Sequence, residues 1–162
     1  MDWYYPILGG VLRGEAAHAR VAASWDTFVV KGRGARCVSD QPWVTAAETC
    51  ELVMALDAIG ADDLAHSLFG WVQFLRHEDG GYWTGANFAE ERFDQPGELY
   101  PVEQPTWNSA AVVLAANALG GTNSTAGLFR GEGLPSGLSS VELIEAGTII
   151  EDERREQNAP KR

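Results

Sequence analysis

A repeated segment limits the possible folds of this chain more than any other feature. "QPWVTAAETCELVMALDAIG" (41–60) and "QPTWNSAAVVLAANALG" (104–120) both open on Gln-Pro, carry a tryptophan at the helix start, then Ala-Ala, and close on an apolar run ending in glycine. Their C-terminal ends lie 60 residues apart (Leu52 to Val112) and their tryptophans 64 apart (Trp43 to Trp107), so the second copy is shorter by about one helical turn. Both are apolar on most sides, the pattern of a buried helix. Between them, in residues 61–76, Leu64, Leu68, Trp71 and Leu75 recur at helical spacing, while Asp62, His66, Gln73 and Arg76 lie elsewhere; this is an amphipathic helix. Upstream, "YPILGGVLRG" is mostly apolar and "GEAAHARVAASWDTF" sets Val21, Trp25 and Phe28 on one stripe.

Five helices alternating between buried and amphipathic predict an all-α fold. A unit of one buried and one exposed helix is a hairpin whose apolar face needs a neighbour, so such units stack side by side. Closing the stack into a ring makes an α–α toroid, and about five helices make only part of one. The expectation is a partial toroid domain over 1–121 and a low-complexity, disordered tail over 122–162, with a weak helix near 139–150. That tail is rich in Gly, Ser, Thr and Asn before the mixed-charge end "EDERREQNAPKR".

Two connections differ in interest. Residues 29–42 flank Gly-Arg-Gly with β-branched residues and predict a short structural hairpin. The 27 residues 78–104 lack periodicity but hold Tyr82, Trp83, Phe88, Phe93 and Tyr100. Connections that long are commonly functional or disordered, and five aromatics argue against disorder. Asp79-Gly80-Gly81 reads as the left-handed end of the preceding outer helix. Tyr82 and Trp83 would then line the mouth of a central cavity, near Trp43, Trp107 and Glu103.

Charge narrows the function classes. With 12 Lys and Arg against 23 Asp and Glu, the net charge of −11 excludes a phosphate-tracking surface, so nucleic acid is not an expected partner. No stretch approaches the roughly 18–20 apolar residues of a membrane span and no signal peptide is evident, so the chain reads as cytoplasmic. Cys37 and Cys50 read as reduced thiols, and no metal-ligand spacing is present. His18, His66 and His77 have solvated neighbours and receive no role.

"MDWYYPILGGVLRGEAA", "RCVSDQPWVTAAETCELVMALDAIG", "QFLRHEDGGYWTG" and "PTWNSAAVVLAANAL" resemble the C-terminal part of actinobacterial prenyltransferase and squalene-cyclase-like proteins, over about residues 1–135. The resemblance implies the toroid, and an isoprenoid or other lipid-like molecule in a cavity lined by Tyr4, Trp43, Tyr82, Trp83 and Trp107. In that family further hairpins precede this segment, implying a truncated member and either self-association or a missing N-terminal half. The Asp, Cys and His zinc set of the true prenyltransferases is not matched, since Trp107 stands where a histidine is expected. The Asp-x-Asp-Asp acid of the cyclases is absent. Magnesium would be required only for a diphosphate substrate, and only Lys31, Arg33 and Arg36 cluster to receive one.

A second resemblance, to six-hairpin glycosidases, rests on "YPVEQPTW", which places Glu103 in a loop before Trp107, where such enzymes keep a general base. Glu48 and Asp40 are the acid candidates by position. The aromatics would then stack on a pyranose ring. Plainer roles stand beside these: Trp43 and Trp107 as rim packing, Glu103 and Asp40 as turn or capping residues, and Glu48 as a carboxylate facing a helix dipole. Three readings follow: an isoprenoid-binding toroid enzyme or binder, a carbohydrate enzyme, and an inactive fragment or interaction module.

Overall fold

The computed structural model describes residues 2–123 and 125–133. The chain divides into a unit of Met1–Glu132 and a second of Gly133–Arg162; the first is described below. Residues 134–162, with the helix expected near 139–150, lie outside the described residues.

Among the described residues the helices are α1 (Tyr5–Leu8), α2 (Gly14–Phe28), α3 (Ala46–Ala58), α4 (Asp62–Trp71) and α5 (Thr106–Gly120). Two antiparallel sheets accompany them. One pairs β1 (Val29–Val30) with β2 (Gly34–Ala35), and the other orders β3 (Trp43–Thr45), β4 (Gly85–Asn87) and β5 (Glu98–Leu99) as β3–β4–β5. The all-α expectation is therefore corrected to a mainly helical fold with two small sheets. β1 and β2 lie within 29–42, and β4 and β5 occupy the connection that lacked periodicity.

The second sheet exists because of what α3 requires at its start. The helix expected from Trp43 begins three residues later, at Ala46, since Trp43, Val44 and Thr45 pair with Asn87, Ala86 and Gly85. β-Branched Val44 and Thr45 favour that extended backbone. Gly85 permits the approach, because a Cβ there would lie 2.5 Å from the Val44 carbonyl oxygen. The strand hands over to the helix through Thr49, whose Oγ1 donates to the Thr45 carbonyl at 2.6 Å and accepts from the Ala35 amide at 2.9 Å, tying α3 to both sheets.

α3 is the centre of the fold. Leu52, Val53 and Leu56 are fully buried, each contributing about 2 kcal/mol of apolar burial. α3 packs against α4, α5, α1 and β2, and the turn at Leu128–Arg130 covers its C-terminal half. There Arg130 Nη1 lies 2.6 Å from Asp57 Oδ2, and Ala126 is buried nearby in sequence, so the first part of the stretch expected as a tail is packed. Burial raises the Asp57 carboxyl above its usual range even though Arg130 opposes the shift.

α4 keeps its amphipathic pattern but stops at Trp71 and continues as a 3₁₀ turn over Val72–Leu75. Asp79-Gly80-Gly81 is therefore not the helix cap. It closes a tight turn in which the His77 amide donates to the Gly81 carbonyl at 2.8 Å and Asp79 Oδ1 accepts from the Gly81 amide at 2.8 Å. The turn brings Arg76 opposite Tyr82.

α5 presents the same kind of surprise in reverse. It is apolar all round, as its sequence shows, but only one face is covered: Trp107 is 61 % exposed, Val113 67 % and Leu114 42 %.

Candidate active site

Two groups of chemistry-bearing residues emerge at the N-terminal part of α3. The first is the rim where helix starts converge. The Ala46 amide donates to the Thr84 carbonyl at 2.9 Å, and the Thr84 amide donates to the Glu103 carbonyl at 3.1 Å. These two bonds fasten Trp83-Thr84 and Glu103 to the start of α3, and only Gln104 and Pro105 separate Glu103 from α5. Trp43, half-buried in β3, donates its Nε1 hydrogen to the Tyr100 carbonyl at 2.7 Å and meets the Tyr100 ring edge-on. Trp83 is half-buried and meets the His77 ring at 5.1 Å, edge-on. Trp107, in the first turn of α5, is exposed. The Glu103 side chain is exposed, with Thr84 Oγ1 at 3.4 Å.

The second group lies on α3 itself. Glu48 and Glu51 are one turn apart and both half-buried, and residues at that spacing are neighbours on a helix surface. Each is held from a different element. The Tyr4 hydroxyl, from the residue before α1, donates to Glu51 Oε2 at 2.8 Å. The Cys37 thiol, just after β2, donates to Glu48 Oε1 at 3.3 Å. Burial first, then the charge of Glu51, pushes Tyr4 well above the usual tyrosine range, so it remains a protonated donor. The same two causes push Tyr5 up to about 12. Burial first, then the Glu48 charge, pushes Cys37 up to about 11. The ensemble is a pair of carboxylates whose orientation is set by neutral O–H and S–H donors, an arrangement suited to proton transfer at a bound substrate.

The candidates from the sequence distribute unevenly over these groups. Glu103, Trp43, Trp83 and Trp107 gather at the rim, and Glu48 joins Glu51 on α3. Asp40 sits on the exposed turn between β2 and β3. Two of the expected substrate contacts are corrected. Tyr82 is 7 % exposed and Tyr4 1 %, so neither ring can stack on a ligand. Tyr82 donates to Gln73 Oε1 at 2.6 Å within the core, and Tyr4 acts through Glu51. Sequence reasoning missed Glu51, Cys37 and Tyr5. A readable signal existed for Glu51: a second carboxylate three residues after Glu48 on an otherwise apolar helix.

Of the three cations available to a diphosphate, Lys31 is exposed and the two arginines are engaged in packing and pairing. Arg33 lies over the rings of Phe88 and Phe74 at 5.3 and 5.5 Å and donates to the Phe93 carbonyl. Arg36 lies over Phe93 at 5.0 Å and pairs with Glu91 at 3.0 Å. Among the described residues no three His, Cys, Asp or Glu are grouped to hold a metal ion, and no helix is long and apolar enough to cross a membrane. A groove of about 480 Å³ opens between α2 and the α3–α4 turn, lined by Val21, Trp25, Leu56, Ile59 and Leu64. None of Glu48, Glu51 and Glu103 lines it, so the groove is not the site argued from the carboxylates.

No family model matches the chain. A curated relative, an MMP endo-(1,4)-3-O-methyl-alpha-D-mannosidase of Mycolicibacterium hassiacum, is 55 % identical over 138 residues, which cover 85 % of this chain. The matched region spans 37 % of that relative's length. This likeness supports the glycosidase-like reading and gives none to the prenyltransferase-like one.

Proposed function

We propose that this chain forms part of a glycoside hydrolase that cleaves α-linked mannosides, including 3-O-methylated ones, and that its helices belong to an α–α toroid. The observation that carries the reading is the 55 % identity to the mannosidase across 85 % of the chain. At that level the side chains of a shared site are expected to be retained together with the fold. The toroid is supported by the α3–α4 hairpin, by the repeat that makes α5 a second copy of α3, and by the convergence of both helix starts at one rim.

Glycoside hydrolysis needs one carboxylic acid to protonate the leaving oxygen, and a second carboxylate to activate water or attack the anomeric carbon. Glu48 and Glu51 supply carboxyl groups on the wall formed by α3, held by Cys37 and Tyr4. Glu103 is a third carboxylate at the rim, where the exposed Trp107 offers a flat apolar face to a sugar ring. The isoprenoid reading has no comparable support, because Arg33 and Arg36 are engaged with phenylalanine rings, a backbone carbonyl and Glu91.

Titration of the protein with an α-(1,4)-linked 3-O-methylmannose oligosaccharide, followed by tryptophan emission, tests this. Saturable quenching is expected, weakened at least tenfold by Trp107→Ala, with no response to a polyprenyl phosphate. Quenching by the polyprenyl phosphate alone would contradict it.

A further inference from the structure

We propose that Tyr100 is the floor of a further sugar subsite, which receives a ring of the oligosaccharide other than the one at the α3 carboxylates and so sets a preference for longer chains. The proposal rests on the glycosidase reading and adds a residue that selects substrate length. The Tyr100 ring is 62 % exposed, yet the backbone beneath it is fixed on both sides. Its amide donates to the Gly85 carbonyl at 3.0 Å, and its carbonyl accepts from Trp43 Nε1 at 2.7 Å. Pro101 follows, and the Glu103 amide donates back to the Pro101 carbonyl at 2.9 Å while the Glu103 carbonyl accepts from the Thr84 amide. Residues 100–103 therefore form a short arch with one foot on Gly85 and the other on Thr84. An aromatic ring on a pinned backbone loses little freedom when a ligand covers it, so its flat face binds at low entropic cost.

Two observations choose a sugar ring as the occupant. First, the arch sets an exposed carboxylate close to the exposed ring, because Tyr100 and Glu103 hang from the consecutive residues Gly85 and Thr84. A pyranose has an apolar C–H face and an edge of hydroxyl donors, and a flat ring beside a carboxylate acceptor meets both. An isoprenoid diphosphate would meet a negative charge there instead of a cation. Second, a chain of contacts runs from Tyr100 to the α3 carboxylates. Trp43 donates to the Tyr100 carbonyl and meets its ring edge-on at 6.1 Å, the Cys37 amide donates to the Trp43 carbonyl at 3.2 Å, and the Cys37 thiol donates to Glu48 Oε1. With Trp43 and Cys37 standing between Tyr100 and Glu48, a ring stacked on Tyr100 belongs to a different unit of the sugar chain from the one at Glu48.

Calorimetric titration of this chain with an α-(1,4)-linked 3-O-methylmannose disaccharide and with the hexasaccharide reads the length preference. The parent is expected to bind the hexasaccharide at least about tenfold more tightly. Tyr100→Leu keeps apolar bulk but removes the flat face, so it should weaken the hexasaccharide by about tenfold and leave the disaccharide within about twofold of the parent. Tyr100→Phe should keep the preference. Because the ring is exposed and its hydrogen bonds are main-chain ones, both variants should melt within about 2 °C of the parent. Equal affinity of the parent for the two sugars would overturn the proposal. So would a Tyr100→Leu variant that keeps the full preference, or one that loses both sugars alike, which would place Tyr100 at the reacting unit or in the fold. In each of these cases the parent still binds sugar and the glycosidase reading stands; a parent that binds neither sugar would overturn both.

Discussion

At the scale of single residues, the most consequential contacts join groups far apart in sequence. Glu48 was readable as a carboxylate in an apolar helix, which must find a partner. Its partner Cys37 was not readable, because the approach depends on the β1–β2 hairpin. Tyr4 and Glu51 are 47 residues apart, and nothing local distinguishes that tyrosine from a ligand platform until its burial is known. The Cys37–Glu48 contact has a measurable consequence. With Cys37 pushed up to about 11 from 9.0, its thiolate at pH 8 is scarcer than that of a free thiol by roughly a hundredfold, and alkylation by iodoacetamide should slow accordingly. The sign follows from the raised value: the folded protein holds the proton through the range where an unfolded chain loses it. Reaction therefore accelerates as pH rises from about 9 towards 11. Glu48→Gln removes the charge that adds to burial, so it should speed labelling of Cys37 several-fold while Cys50, fully buried, stays unlabelled. Labelling at the free-thiol rate, or no effect of Glu48→Gln, would show that the two groups are not coupled. Simultaneous labelling of Cys50 would reveal unfolding instead.

At the scale of elements, the pattern of apolar residues located the five helices of the described residues, and it failed where backbone pairing overrides it. Trp43-Val44-Thr45 continues the apolar run of α3 in sequence but belongs to a strand, because β4 lies 40 residues on and offers Gly85 for close approach. The strands β4 and β5 are three and two residues long, too short to show alternation, so the connection from 78 to 104 read as irregular. Apolarity likewise could not distinguish α3, which is surrounded, from α5, which is covered on one side. The β1–β2 hairpin offers a direct check on the packing of sheet against helix. Gly34 adopts φ +139°, and a Cβ there would meet Thr49 Oγ1 at 2.6 Å and Val44 Cγ1 at 3.2 Å. Displacing Thr49 would also disturb its bonds to Ala35 and Thr45. Gly34→Ala should therefore cost about 2 kcal/mol or more, seen as a fall in melting temperature of roughly 8 °C. Gly32 also has positive φ, at +77°, but open space around it. Gly32→Ala should cost about 1 kcal/mol, from backbone strain alone. Equal effects of the two substitutions would mean that Thr49 does not join hairpin to helix as described.

At the scale of the whole molecule, the helical architecture was legible in the sequence and the chemistry much less so. Toroids built from helical hairpins host unrelated reactions, so a likeness of string and fold pointed first to isoprenoids. What shifts the balance is the combination of a mannosidase relative, arginines withdrawn into packing, and carboxylates oriented by neutral donors on α3. Because the match covers 37 % of the mannosidase, the decisive measurement places this chain in that context. A chimera carrying these residues in place of the matched region should release reducing ends from an α-(1,4)-linked 3-O-methylmannose oligosaccharide. Glu51→Gln in the chimera should lower that rate by about a thousandfold without shifting its melting temperature. A chimera that melts sharply yet releases no sugar, or a Glu51→Gln variant within tenfold of the parent, would contradict the assignment of α3 as the catalytic wall.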